Sequence, residues 1–274
     1  EGRPLILTAW NAVFMSDTGA AFDSVRWSKL MPIKIGKRLA QSDIMMSADT
    51  MRYKLNTLGH ARAAVDYDLQ RDTIHYTAQV TFQLRPGHFD YVGETQITGL
   101  KQIEEETVRR ELTYHILDPY DIRKLEKTRK RIVRLEAFTL VSVHADTSVQ
   151  GDVLPVNIRT EEGNRYRIRA GGGYQSEEGA RGQAEFTDLN FFGRGRRLTW
   201  KVTGAEFHRL TEIRLFWPHT PINWTDLTLA PRWEWRADPA VTKEIRSGKT
   251  TFSRRLAVQL LALIEGKSAL GHGR

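Results

Sequence analysis

Between Arg165 and Trp200 the chain reads RYRIRAGGGYQSEEGARGQAEFTDLNFFGRGRRLTW, and in its first part the side chains change character at every second position. Tyr166, Ile168, Ala170, Gly172 and Tyr174 fall on one face of an extended segment, while Arg165, Arg167 and Arg169 fall on the other. The pattern therefore asks for a strand with one wet face and one apolar or small face. Gly171, Gly172 and Gly173 offer no side chains to pack and cost entropy on ordering, which implies a bend or a loosely paired edge. SEEGARG reads as a turn, QAEFTDLNFF resumes extended structure, and GRG breaks it again. The alternation recurs from Thr211 to Trp217, with Ile213, Leu215 and Trp217 opposite Glu212 and Arg214. It recurs once more from Asn223 to Arg236, with Leu227, Leu229, Trp233 and Trp235 opposite Asp226, Thr228, Arg232, Glu234 and Arg236. A membrane β-strand needs about 9 to 11 residues of such alternation with aromatics near its ends. A soluble antiparallel sheet with one solvated face fits the alternation equally well. Pro231 counts against an interior strand position, because it removes a ladder donor.

No window reaches the roughly 18 consecutive apolar residues of a membrane helix, so a membrane role has to come through strands. The chain has 274 residues and no cysteine, which excludes disulfides and thiolate metal sites and fits either the cytoplasm or a bacterial periplasm. ILTAWNAVF is too short and too polar for a signal-peptide core, so a targeting segment is expected to be absent or already removed. The net charge of +8 raises nucleic acid or anionic lipid as partners, but the cations are spread out. Their densest cluster, Arg123, Lys124, Lys127, Arg129, Lys130, Arg131 and Arg134, reads as a solvated helix face. The eight histidines lack metal-ligand spacing. Neither GGG nor GRG sits between a strand and a helix as a dinucleotide loop would, and Glu104 to Glu106 read as a helix start. No enzyme activity, cofactor or metal is expected.

The first half contains an internal repeat of about 75 residues, with the order strand, helix, helix, strand, strand. In its second copy Tyr91 to Thr98 is a strand, and Ile103 to His115 carries Ile103, Val108 and Leu112 at near-helical spacing. Asp121 caps a second helix bearing Ile122, Leu125, Ile132, Val133 and Leu135. Ala137 to Asp146 and Leu154 to Thr160 are strands joined at Gln150, Gly151 and Asp152. In the first copy Ile6 to Met15 is a strand and Phe22 to Met31 a short helix. PIKIGKRL connects them to a helix capped by Ser42 or Asp43 and running to about Leu58. Ala61 to Gln70 and Thr73 to Leu84 form a hairpin turning at Arg71 and Asp72, and PGHFD is a short joint to the next copy.

These modules resemble POTRA domains, whose skeleton matches Ile97, Gly99, Leu100, Tyr120, Asp121, Leu135, Phe138, Val141 and Val143. The stretch that follows is similar to the opening strands of outer-membrane protein assembly factors of the BamA and TamA type. Gly171, Gly173, Tyr174, Gly179, Asp188, Asn190, Phe191, Gly193 and Gly195 stand where that family has its glycine-rich barrel motif. GRPLILTAWNAVF and PIKIG point to the TamA branch. The resemblance implies α+β POTRA modules at 1–87 and 88–161, the first strands of an antiparallel all-β transmembrane barrel at 162–250, and an unassigned tail at 251–274. The family's barrel has about 16 strands, within the even-numbered range of such barrels, and at most six can be counted here.

By the same resemblance, unfolded outer-membrane proteins or autotransporters are the expected clients, received in the periplasm and inserted into the outer membrane. A TamB-like inner-membrane-anchored periplasmic protein and outer-membrane lipid are the other expected partners, without nucleic acid. Clients would add as strands to Ala61–Gln70 or Ala137–Asp146, and Arg165, Arg167, Arg169, Gly171, Gly172, Gly173 and Tyr174 would form the lateral-gate strand. Asp188, Asn190 and Gly193 read as turn and register residues. A two-partner secretion transporter is the functional alternative. A soluble basic module binding anions or nucleic acid through Arg165, Arg167, Arg169, Arg194, Arg196 and Arg197 is the alternative of another class.

Overall fold

The computed structural model describes residues 4–15, 31–175, 179–206, 208–218, 225–237 and 242–254. The helix expected at 22–31 and the tail beyond 254 lie outside the described residues, except Met31. The chain gathers into two compact units. One is Glu1–Thr98 with Leu112–Lys130 and Ser142–Ile158; the other is Gly99–Glu111 with Arg131–Val141 and Arg159–Arg274.

The first sheet has the order β1-β3-β2, with β1 Ile6–Phe14, β2 Ala64–Asp72 and β3 Thr77–Arg85. Strand β3 is central, parallel to β1 and antiparallel to β2. Its alternation is the reason it sits there: Ala78, Val80, Phe82 and Leu84 are all buried. Helix α1, Gln41–Asn56, buries Ile44, Ser47, Met51 and Leu55, a stripe at helical spacing. Ile44, Met51 and Leu55 join Leu7, Met31, Ile33, Val80, Phe82 and Leu84 in one core. Truncating Phe82, which is fully buried, would cost about 3–5 kcal/mol. The helix is capped at Ala40, two residues before the first of the expected caps, and Ala40 has no side-chain cap bond. Ser47 Oγ instead bonds back to the Asp43 carbonyl at 2.6 Å. The hairpin also turns later than expected, because Asp72 Oδ1 accepts from the N–H groups of Ile74 and His75 and Tyr76 takes a left-handed φ of 54°.

The second three-stranded sheet has the order β4-β6-β5, with β4 Tyr91–Thr98, β5 Phe138–Ala145 and β6 Val153–Glu162. Here too the last strand is central, with Leu154, Val156, Ile158 and Thr160 buried in alternation. Of the helix expected at 103–115 only a short α2, Glu105–Arg109, forms. The chain then leaves helical geometry, and Thr113 is held by its Oγ1 bonding to the Lys124 carbonyl at 2.7 Å. Helix α3, Ile122–Val133, is capped by Asp121, whose Oδ1 accepts from the Arg123 N–H at 2.9 Å. Gly99 has φ +89°, and a Cβ there would overlap the Thr160 carbonyl oxygen, so only glycine fits.

The remaining strands form one antiparallel sheet ordered β12-β11-β10-β9-β8-β7. They are β7 Tyr166–Gln175, β8 Gly179–Asp188, β9 Arg197–Ala205, β10 His208–Trp217, β11 Thr225–Ala237 and β12 Thr242–Arg254. Each strand pairs with its neighbour in sequence, as successive hairpins do. Pro231 lies inside β11 after all, and the ladder accommodates it. Pairing with β10 lapses between Glu212↔Arg232 and Leu215↔Leu229, while pairing with β12 runs through Pro231↔Gly248. The described strands do not close into a barrel, since β7 and β12 are the two ends of the order.

Candidate functional site

Register decides what the six-stranded sheet can do, because residues paired across strands share a face. One row runs Ile168↔Phe186↔Trp200↔Ile213, and the next runs Ala170↔Ala184↔Val202↔Thr211↔Trp233. Leu198↔Leu215↔Leu229 and Trp217↔Leu227 fall on the same side. Ile213, Leu215, Trp217, Leu227, Leu229, Trp233 and Trp235 are thus brought together, along with Phe186, Leu198, Trp200 and Val202, which sequence reasoning had left out. This face is open: Ile168 is 76%, Tyr174 81% and Trp200 51% exposed. Tyr166 and Tyr174 mark the two ends of β7, about 27 Å apart at about 3.4 Å per residue. A membrane barrel carries an apolar band about 25 Å tall between aromatic girdles.

The opposite face is polar and internally neutralised. Arg169 pairs with Glu185 at 3.4 Å, Arg232 with Glu234 at 2.7 Å, and Arg214 with Glu212. His208 Nε2 lies 2.9 Å from the same Glu234. Strand β7 is fixed at its start and bare further on. Arg165 meets Asp188 through two bonds of 2.9 Å, and Arg167 reaches Glu136 at 3.2 Å. Beyond Ala170 the glycines face almost nothing: a Cβ on Gly173 would meet no atom within 4 Å, and one on Gly172 only the Arg181 carbonyl at 3.5 Å. None of the three adopts a positive φ, so the triplet is an extended edge and not a bend.

Asp188, Asn190, Phe191, Gly193 and Gly195 of the barrel motif assemble at the turn between β8 and β9, while Gly179 lies at the far end of β8 and Gly171, Gly173 and Tyr174 lie on β7. Asp188 Oδ1 accepts from the Asn190 N–H at 3.0 Å, and Asn190 Oδ1 accepts from the Gly195 N–H at 3.3 Å. Asn190 Nδ2 donates to the Gln102 carbonyl at 3.4 Å. Phe192, Gly193, Arg194 and Gly195 all have left-handed φ, 54°, 73°, 57° and 69°. Two of the four are glycines; Phe192 and Arg194 hold a conformation that side chains resist. Phe191 packs against Phe192, ring centroids 4.3 Å apart.

Two acids hold the neighbouring loops, Glu136 tying the residue after α3 to β7 and β9 and Glu162 tying the 101–103 loop to the end of β6, and the sequence offered no signal for either. Glu136, with φ 58°, holds Arg197 at 2.5 Å as well as Arg167. Partial burial pushes its carboxyl up, but the two guanidinium groups outweigh that and hold it below the usual range. Glu162 accepts from the N–H groups of Lys101, Gln102 and Ile103 at 2.6 to 3.0 Å. Of the POTRA skeleton, Leu135 is buried, and Ile97, Leu100, Phe138, Val141 and Val143 are half-buried. Burial, then the nearby Asp90 charge, pushes the buried Tyr120 hydroxyl up to about 12. Both expected client edges, β2 and β5, are outermost strands of their sheets.

Five of the six arginines of the anion-patch alternative have carboxylate partners: Arg165, Arg167, Arg169, Arg197, and Arg194 at 4.0 Å from Glu104. That leaves little uncompensated charge for a polyanion.

No family model matches the chain. Among curated proteins it is 23% identical over 198 residues to the outer membrane protein assembly factor BamA of Neisseria meningitidis, a match that takes in 72% of this chain and 25% of that protein. The chain therefore spans about a quarter of that relative's length. Among solved structures, BamA from Haemophilus ducreyi lacking POTRA domains 1–3 superposes with a TM-score of 0.67 at 17% identity, over 90% of this chain and 47% of that one. POTRA domains 3–5 of Haemophilus influenzae BamA superpose with a TM-score of 0.52 at 19% identity, over 58% of this chain and 61% of that one. The TamA branch expected from GRPLILTAWNAVF and PIKIG thus rests on those residues alone. In sequence and in fold, the chain is similar to outer-membrane protein assembly factors of the BamA type.

Proposed function

We propose that this chain is the part of an outer-membrane protein assembly factor in which two POTRA modules, at 1–87 and 88–161, lead into the first barrel strands. It acts without nucleotide, with the modules in the periplasm and the six-stranded sheet in the outer membrane. The observation that carries the reading is the continuous, exposed apolar face of that sheet, backed by a face of paired charges. A soluble sheet would hide residues such as Ile168 and Trp200 in a core.

Unfolded outer-membrane proteins are the proposed clients, captured by backbone pairing at a free strand edge. Of the two outer edges, β5 is the better acceptor. Its residues, FTLVSVHA, include no acid, lysine or arginine, whereas β2 carries Asp66, Asp68, Arg71 and Asp72. Charges on an edge strand deter pairing. The client then adds at β7, whose glycine half holds few contacts and separates readily toward lipid. A TamB-like periplasmic partner is part of the same proposal and rests on the sequence resemblance.

Fractionation of the whole protein tests the reading. It should require detergent for extraction and run at a heat-modifiable gel position, and nucleic acid should not be retained. A protein that stays soluble without detergent and loses a polyanionic ligand steeply with salt would establish the basic binding module instead.

A further inference from the structure

Of the six arginines of the anion-patch alternative, Arg196 has no carboxylate partner among the described residues. Its guanidinium lies 4.0 Å over the Trp217 ring, and its Nε is buried with no acceptor among the described residues. Trp217 closes β10 on the apolar face, level with Leu227, so the stacked cation sits where that face ends. Arg194 stands two residues earlier on the same turn, exposed and 4.0 Å from Glu104. Phe192, 77% exposed, projects from the turn as well and keeps its place despite the left-handed backbone. A buried N–H without an acceptor is a defect that native structures rarely tolerate, and a planar guanidinium is matched by two oxygens of one phosphate.

We propose that Arg196, stacked on Trp217 and flanked by Arg194 and Phe192, binds the phosphate of a membrane phospholipid at the headgroup level. The inference rests on the apolar face meeting lipid, and it adds one specific headgroup contact to that reading. The ligand needs both an oxyanion for the guanidinium and hydrocarbon for Trp217 and Phe192, which is the chemistry of a phospholipid and not of free phosphate. Stacking on tryptophan keeps the cation in place without a carboxylate that would compete with the headgroup.

The test uses the detergent-solubilised protein in maltoside micelles, titrated with phosphatidylglycerol, with diacylglycerol, and with inorganic phosphate. Native mass spectrometry counts the lipid retained. Phosphatidylglycerol should bind and diacylglycerol should not. Arg196→Gln should weaken phosphatidylglycerol about tenfold, or about 1.4 kcal/mol, with Arg181→Gln on the polar face as an unaffected control. Arg196→Lys keeps the charge but loses the fork, and should weaken it by a smaller factor; it carries the test if Arg196→Gln does not fold. Unchanged retention in the arginine variants, or equal retention of diacylglycerol, overturns the site. Displacement by inorganic phosphate at the same concentration overturns lipid as its source. A protein that never needs detergent overturns the membrane reading itself, which is a separate outcome.

Discussion

A carboxylate that accepts three backbone N–H groups at once fixes more than one residue, and Glu162 does this for Lys101, Gln102 and Ile103. Partial burial pushes its carboxyl up, but the donors at Lys101, Ile103 and Gln102 outweigh that and hold it below its usual range. The folded form therefore binds its proton less readily than the unfolded chain. Its contribution to stability is complete above the ordinary carboxylate range and is lost as pH falls through the lowered value. Glu162→Gln keeps the shape and removes the charge. Bonds to a charged acceptor contribute about 1.5–3 kcal/mol, against about 1 for neutral ones, so the variant should lose roughly 1–2 kcal/mol near neutral pH. Amide exchange at 101–103 should rise about tenfold in the variant at neutral pH, and the difference from wild type should vanish in acid. Equal protection at neutral pH would mean that the loop holds itself without the carboxylate.

At the scale of elements, what the sequence displayed was periodicity. Strand β4 runs from Tyr91 to Thr98 as expected, because its pattern and flanking glycines are local, and Asp121 caps α3 because a cap is a local device. The joint between the first two sheets was legible only as a short PGHFD stretch; what holds it is long-range. Arg62 Nη1 meets the fully buried Asp90 at 2.6 Å, and the same guanidinium donates to the carbonyls of Thr147, Val149 and Gly151. Asp90 Oδ2 also accepts from the Ala61 N–H at 2.9 Å. Arg62→Ala would leave a buried carboxylate uncompensated, at about 3–5 kcal/mol by denaturant unfolding. Adding Asp90→Asn should recover part of that loss, since the pair couples; additive losses would rule out a shared clamp. The glycine half of β7 makes a contrasting prediction. Alanine at Gly172 and Gly173 meets no clash, so each should stabilise the strand by about 0.5–1 kcal/mol in urea titrations of the refolded protein. If β7 is the seam, the doubly substituted protein should also insert clients more slowly. Faster or unchanged insertion would leave the glycines without that role.

For the whole molecule, the compact units do not follow the strand and helix segments in which the sequence is written. Segments 99–111 and 131–141 belong with Arg159–Arg274, through Glu162, through Asn190 on the Gln102 carbonyl, and through Glu136 on Arg167 and Arg197. A repeat of strands and helices can be read from spacing, whereas pairings of this kind join residues far apart in the chain and follow no period. The consequence is specific for a chain cut at residue 160. It retains every segment of the first unit but loses Glu162, Arg167, Asn190 and Arg197. Such a fragment should be soluble and folded, with amide protection intact at 64–98, 112–130 and 142–158. Its loops at 99–111 and 131–141 should exchange about tenfold faster or more than in the whole protein, since each has lost charge-assisted bonds of about 1.5–3 kcal/mol. Residues 160–274 alone, with their apolar face and, among the described strands, no partner on the outer edge of β7, should aggregate unless detergent is present. Undiminished protection at 99–111 in the short fragment would show that those loops need nothing from the strands beyond it, and a soluble, well-folded 160–274 would remove the ground for placing that face in a membrane.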